Sequence, residues 1–216
     1  MVSLGSGDIE LITIKALRAL KKCDAILIPT KSKDKSFHRS ITHKMIRNIE
    51  DEFNFRKKLI PVYSPMEFKK ADWENEVDTI IKSLEQNDTV CFVTLGDAAI
   101  YSSVYYLLDI IEEKYPSIYQ QTTVIPGITS FSNGSAKVKK PLCIGDSGLQ
   151  IVPLLDKDVP NTTIYMRPKV GMNTKNIQEQ GHIYTFENLD LIDSKIFSSK
   201  KNKVEKYMTL FVDFVK

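Results

Sequence analysis

The chain has 216 residues, 42% hydrophobic and 26% charged, with a formal net charge of +3 and a pI near 8.6. That is enough apolar material for one large core or two small ones, and too weak a positive balance to argue for a nucleic-acid partner without a clustered patch. Cys23, Cys91 and Cys143 form neither a CxxC pair nor an even-numbered framework, which argues against a disulfide scaffold and a zinc site.

The start of the chain lacks a basic segment followed by an apolar run, and no stretch approaches the roughly 18 apolar residues of a membrane span. The expectation is a soluble, cytoplasmic protein with reduced thiols and no membrane partner.

Val2 to Leu4 reads as a short first strand running into Gly5-Ser6-Gly7-Asp8. Asp8 or Thr13 can cap the helix that carries Ala16, Leu17 and Leu20. The run Ala25-Ile26-Leu27-Ile28 is apolar on both faces, as a parallel strand covered by helices requires, and Pro29 is expected to end it. Trp73, Val77, Ile80, Ile81 and Leu84 fall on one helical stripe. Val90 to Leu95 is the strongest strand signal and leads into the Gly96-Asp97 turn. Ile100, Val104, Leu107, Leu108 and Ile111 repeat the helical spacing, and Thr122 to Ile125 supplies a further strand before Pro126-Gly127. Alternation of strand and helix over 1–128 predicts a parallel α/β layer.

Beyond that point the grammar changes. Strand-like segments at Leu149–Val152, Thr162–Met166, Ile183–Phe186 and Tyr207–Val215 arrive with few strong helices between them, punctuated by Pro141, Pro153, Pro160 and Pro168. The reading is an α/β protein of two domains, 1–128 with a parallel sheet and 129–216 with a mixed sheet, the second shortened. The lysine-rich stretch Ser198 to Lys203 reads as an exposed loop.

Each of the three glycine junctions follows a strand and precedes a helical pattern. Small ligands settle at such strand ends in open α/β sheets, because glycine lets backbone approach the ligand and helix-start N–H groups point at it. Gly5-x-Gly7-Asp8 nevertheless lacks the third glycine of a dinucleotide fingerprint, and taken alone it reads first as an ordinary tight turn. No Walker lysine follows the glycines. His38, His43 and His182 are too scattered for a metal site, and Ser102 and Ser130 have no nucleophile-elbow context, so no metal and no hydrolytic nucleophile is expected.

Three blocks carry a family resemblance. Gly5-Ser6-Gly7-Asp8-Ile9-Glu10-Leu11-Ile12-Thr13-Ile14-Lys15-Ala16, Leu95-Gly96-Asp97-Ala98-Ala99-Ile100-Tyr101-Ser102 and Val124-Ile125-Pro126-Gly127-Ile128-Thr129-Ser130-Phe131 resemble, in this order, the signature blocks of the tetrapyrrole methylases. Ser64-Pro65-Met66 followed by Trp73, the wording Val93-Thr94-Leu95-Gly96-Asp97, and Pro141-Leu142 with Gly145-Asp146 ahead of Ile151-Val152-Pro153 are most similar to the precorrin-2 C20-methyltransferases of cobalamin biosynthesis. Tyr207 to Val212 resembles the family's last strand, so the resemblance spans nearly the whole chain.

What the resemblance implies is a two-domain fold, S-adenosylmethionine as cofactor, a tetrapyrrole substrate and a homodimer. Ser6 would lie in the first glycine loop at the cofactor. Gly96, Asp97 and Ile100 would form the floor beneath its methionine part, with Tyr101 in the same turn. Thr129 and Ser130 would hold it where the domains join, and Met166 would offer main chain to the adenine side. Tyr101 and Met166 read equally well as plain core residues. Methyl transfer from a sulfonium needs no metal and no covalent intermediate, and the electron-rich C20 meso carbon can attack before losing its proton. No catalytic acid or base is therefore nominated, and Asp97 is a cofactor-site residue.

A polyanionic macrocycle calls for cations. The segment from Lys31 to Arg47 carries Lys31, Lys33, Lys35, Arg39, Lys44 and Arg47 against Asp34, and Lys35 and Arg39 are the expected substrate contacts, with a solvated face as the equal alternative. Ala98 stands where the family has the proline of Gly-Asp-Pro, Leu4 where it often has glycine and Ser6 where it often has proline. The short interval from Met166 to Ile183 implies a lost or shortened helix. Those departures leave two alternatives open: a family member acting at another ring position or on a protein side chain, as diphthine-forming members do, and a non-catalytic tetrapyrrole-binding protein.

Overall fold

The computed structural model describes residues 1–34, 36–38, 40–65, 67, 69–145, 147–151, 162–166, 168–188 and 193–214. They fall into two compact units, Met1–Ser147 and Gly148–Lys216. The sequence reading divides the chain after residue 128; the first unit carries the following helix and the chain to Ser147 with it.

In the first unit β1 (Val2–Ser3), β2 (Ala25–Thr30), β3 (Lys58–Tyr63) and β4 (Val90–Thr94) form a sheet in the order β1-β4-β2-β3. All its pairings are parallel, so the C-terminal ends of the strands share one edge. The helices are α1 (Ile14–Lys22), α2 (Ile41–Glu52), α3 (Lys70–Leu84), α4 (Val104–Lys114), α5 (Pro116–Gln121) and α6 (Ser130–Val138).

Side-chain alternation along β2 builds two cores. Ile26 and Ile28 pack into a cluster with Leu4, Leu20, Ile46 and Ile49, which puts α1 and α2 on that face. Leu27 joins Val62, Val77, Ile80, Phe92, Leu107 and Ile111, which puts α3 and α4 on the other. Each fully buried Leu or Ile contributes about 1.5–3 kcal/mol relative to exposure, so the apolar run of β2 holds both helical layers. Local signals fix the helix starts. Thr13 Oγ1 accepts the Ala16 N–H at 3.1 Å, and Ser40 Oγ accepts the His43 N–H at 3.2 Å.

Pro29 does not end β2. The strand runs through Thr30, because β4 pairs with β2 only as far as Leu27, and the Pro29 carbonyl is taken by Ser40 Oγ at 3.3 Å. The expected strand at Thr122–Ile125 is reduced to a bridge. Ile125 donates to Met1 O and receives Ser3 N–H, after which Pro126 has no N–H to extend the ladder.

The second unit contains β5 (Thr163–Tyr165), β6 (His182–Glu187), β7 (Lys195–Phe197) and β8 (Thr209–Phe214), in the order β5-β8-β6-β7, with antiparallel pairings throughout the described strands. Its core is Ile177, Ile183, Val204 and Phe211. Leu149–Ile151 is not a strand, and Val152 and Val215 lie outside the described residues. Residues 168–181 form turns with no helix. Lys200 and Lys201 are not the exposed loop expected. Lys200 Nζ donates to Ile177 O at 2.7 Å, and Lys201 pairs with buried Glu187 at 2.9 Å, so both ammoniums close this small core. No helix among the described residues is long and apolar enough to cross a membrane.

Candidate functional site

The site is built where β1 and β4 end. Leu4 N–H donates to Thr94 O at 2.9 Å, and one residue later Gly5 and Gly96 exchange backbone hydrogen bonds of 3.1 and 2.8 Å. Both have positive φ, +80° and +74°, so the chains turn away from each other directly after the exchange. The third junction is wedged against this pair. A Cβ on Gly127 would stand 2.5 Å from Gly96 O, 2.7 Å from Ser3 Cβ and 3.3 Å from Gly5 N. Three segments far apart in sequence thus meet at one point on the C-terminal edge of the sheet.

Side chains lock the arrangement. Ser3 Oγ, fully buried, accepts the Ala98 N–H at 2.9 Å. A proline at 98 would have no such hydrogen to give, so the Ala98 departure is absorbed by Ser3. Asp97 Oδ1 accepts the Ala99 N–H at 3.0 Å and its carbonyl accepts Ile100 N–H at 3.1 Å, closing the turn. Thr94 Oγ1 lies 3.2 Å from Ser102 Oγ, which accepts the Val104 N–H at the start of α4. Thr129 caps α6 by accepting Ser132 N–H at 3.3 Å, and Asn133 donates to Ser6 Oγ at 2.9 Å, tying α6 to the first glycine loop.

Ser6, Gly96, Asp97, Ile100, Thr129 and Ser130 therefore share three joined loops. Tyr101 is in the same turn at φ +50°, but it is 69% exposed and so is not a core residue. Met166, just after β5 in the second unit, is also 69% exposed, which removes its core reading too. Lys35 and Arg39 lie outside the described residues; their neighbours Lys31 and Lys33 are exposed. Thr30 Oγ1 donates to Ser36 O at 2.7 Å, and Phe37 stacks on His43 at 4.3 Å, anchoring the segment that follows β2 on the same edge. Burial and the nearby Arg47 hold the His43 imidazole below its usual range.

Ser3, Asn133 and Gly127 were absent from the sequence-based site. Gly127 stood inside a quoted block without a role, and nothing in the order of residues shows that Ser3 reaches residue 98. The described residues contain no group of three His, Cys, Asp or Glu placed to hold a metal. Cys23 and Cys91, remote in sequence, both donate to carbonyls of α1, Cys23 to Leu20 O at 3.3 Å and Cys91 to Ala19 O at 3.6 Å, and the neighbouring Cys91 together with burial pushes the Cys23 thiol up.

The geometry leaves room for a ligand. A Cβ on Gly7 or Gly96 would meet no protein atom within 4 Å, and both residues hold positive φ. An open-sided glycine turn beside the start of a helix lets a ligand reach backbone N–H groups that a side chain would cover.

Comparison with known proteins bears on which ligand. The profile of the Tetrapyrrole (Corrin/Porphyrin) Methylases matches residues 1–175. The "Probable cobalt-precorrin-2 C(20)-methyltransferase" of Methanocaldococcus jannaschii is 31% identical over 179 residues, covering 83% of this chain and 73% of that protein. The cobalt-precorrin-2 C(20)-methyltransferase of Salmonella typhimurium is 28% identical over 152 residues, 70% of this chain and 61% of its own length. Among solved structures, a cobalamin synthesis related protein from Corynebacterium diphtheriae superposes with a TM-score of 0.53 at 14% identity, covering 98% of this chain and 95% of that one, a likeness of fold.

Proposed function

The chain belongs to the tetrapyrrole methylases, and we propose that it methylates C20 of precorrin-2, or of its cobalt form, in cobalamin biosynthesis, with S-adenosylmethionine as donor. The observation that carries the reading is the meeting of Gly5, Gly96 and Gly127 at one strand edge, with open space beside Gly7 and Gly96. The choice of C20 is supported by the identities to the two C20-methyltransferases.

These residues fit the donor. Bound there, S-adenosylmethionine supplies a methyl group already activated by its sulfonium. The task left to the protein is placement, which can lower a barrier by roughly 7–11 kcal/mol. Gly96 keeps the turn bare so that backbone can approach, and Asp97 fixes its shape through Ala99 and Ile100. Ser6, oriented by Asn133, and the start of α6 at Thr129-Ser130 would hold polar groups of the cofactor. Met166 is carried to the adenine side by the resemblance alone. Lys31, Lys33, Lys35 and Arg39 would offer charge-assisted hydrogen bonds to the macrocycle's carboxylates. No side chain is assigned as a base, since the meso proton can leave after attack.

The working form is proposed to be a cytoplasmic homodimer. Calorimetry with S-adenosylmethionine or its demethylated product tests the site: measurable affinity that is lost in Gly96→Val supports it. A folded protein with no affinity for either rejects it.

A further inference from the structure

Tyr101 holds its φ at +50°. The other described non-glycine residues in that region have ordinary reasons to be there: Asn54, Asn188 and Asp193 carry the short polar side chains that tolerate it, and Lys139 closes α6 as its left-handed cap. A large aromatic residue is an outlier in left-handed backbone. Its neighbours impose the conformation. On one side Ser3 Oγ holds the Ala98 N–H at 2.9 Å and Asp97 O accepts the Ile100 N–H at 3.1 Å; on the other, Ser102 Oγ lies 3.2 Å from Thr94 Oγ1 and accepts the Val104 N–H at 3.3 Å. Residue 101 turns between two fixed points.

Packing of the side chain does not offset this strain, because Tyr101 is 69% exposed. Tyr106 on α4 differs: its ring stacks on Trp73 with centroids 4.1 Å apart. Removing the ring of Tyr101 uncovers no core, and asparagine, which accepts the same backbone, relieves the strain. Two more large apolar residues are exposed on the joined loops, Leu95 next to Gly96 and Ile128 next to Gly127. Apolar groups gathered at the rim of a ligand-binding edge suit a flat, apolar-faced partner.

We propose that Tyr101 is a substrate-contact residue: its ring, kept out of the core by the strained turn, offers a face on which the conjugated macrocycle stacks, with Leu95 and Ile128 extending the apolar rim. The inference rests on the reading of a tetrapyrrole as acceptor. The donor is reached by backbone at the bare Gly96 turn and needs no flat face there, whereas the macrocycle has a broad π face that the cations after β2, suited to its carboxylates, leave unmatched. Offset stacking of aromatic faces supplies an attraction beyond area burial that aliphatic or polar side chains do not give.

Two variants of the full chain test this. Tyr101→Asn keeps the turn and removes the ring; it should raise the tetrapyrrole KM roughly 3- to 10-fold with the affinity for S-adenosylmethionine unchanged, and its Tm should be equal to or above that of the natural protein. Tyr101→Phe keeps both ring and strain and should rescue the KM. A lowered Tm in Tyr101→Asn would make the ring a packing element, an unchanged KM would leave it without a role, an equal loss of cofactor affinity would return it to the cofactor, and a failed rescue would assign the effect to the hydroxyl; each overturns the proposal. Binding of uroporphyrin III, a stable conjugated tetrapyrrole, followed by its visible absorbance, separates this contact from methyl transfer. A Kd weakened roughly 3- to 10-fold in Tyr101→Asn and restored in Tyr101→Phe upholds the stacking contact even where the natural protein transfers no methyl group and the methyltransferase reading fails. A natural protein that binds the porphyrin no more tightly than Tyr101→Asn, or not at all, overturns it.

Discussion

Gly127 approaches Gly96 so closely that a single added carbon would fall 2.5 Å from the Gly96 carbonyl oxygen. Hydrogen is the only side chain this crossing of backbones accepts, and relief would have to come from main chain that Gly5 and Gly96 already hold in place.

Gly127→Ala is accordingly expected to destabilise the fold by about 1–3 kcal/mol, visible as a lowered urea midpoint. Gly96→Ala puts its methyl into open space and meets only the strain of its positive φ, about 1–2 kcal/mol. Equal stability of natural protein and Gly127→Ala would mean that the three loops do not meet as described.

Ser3→Ala removes the acceptor of the buried Ala98 N–H. An unsatisfied buried donor costs about 1–3 kcal/mol, and the Gly96-Asp97 turn should loosen with it. Amide exchange at Ala98 reports this directly: it should accelerate in Ser3→Ala, whereas unchanged protection would show that Ser3 does not hold the turn.

The elements that sequence made plain are those whose apolar pattern is either unbroken, as in a strand covered on both faces, or confined to one helical stripe. The apolar run of β2, the stripe Trp73-Val77-Ile80 and the run Val90 to Val93 each state their own environment. So did the Gly96-Asp97 turn, because a strand, a glycine and a helical stripe follow one another there. Helix α2 was hidden because its buried Met45, Ile46 and Ile49 are interleaved with Lys44 and Arg47, which read as one basic segment. β3 was passed over too, its half-buried residues giving a weaker signal than β2. Pro29 misled because its effect depends on where the neighbouring strand stops pairing. Ser3 to Ala98, Asn133 to Ser6 and Cys23 to Cys91 are contacts between remote segments, and only folding creates them.

Substituting Lys35 and Arg39 together by Ala is expected to raise the KM of the carboxylate-rich macrocycle while leaving cofactor affinity in place. Added salt should shrink the difference, since exposed charges are screened within about 8 Å at physiological ionic strength. Steady-state kinetics at two salt concentrations decides the point; an unchanged KM returns the segment to a solvated surface.

Transfer of an isotopically labelled methyl group from S-adenosylmethionine to precorrin-2 and to its cobalt form, followed by carbon-13 NMR of the product, tests the central claim most directly. The account predicts one label, on C20, with the original meso hydrogen gone. A label on a pyrrole-ring carbon, or no transfer to either substrate by protein that binds the cofactor, would contradict it.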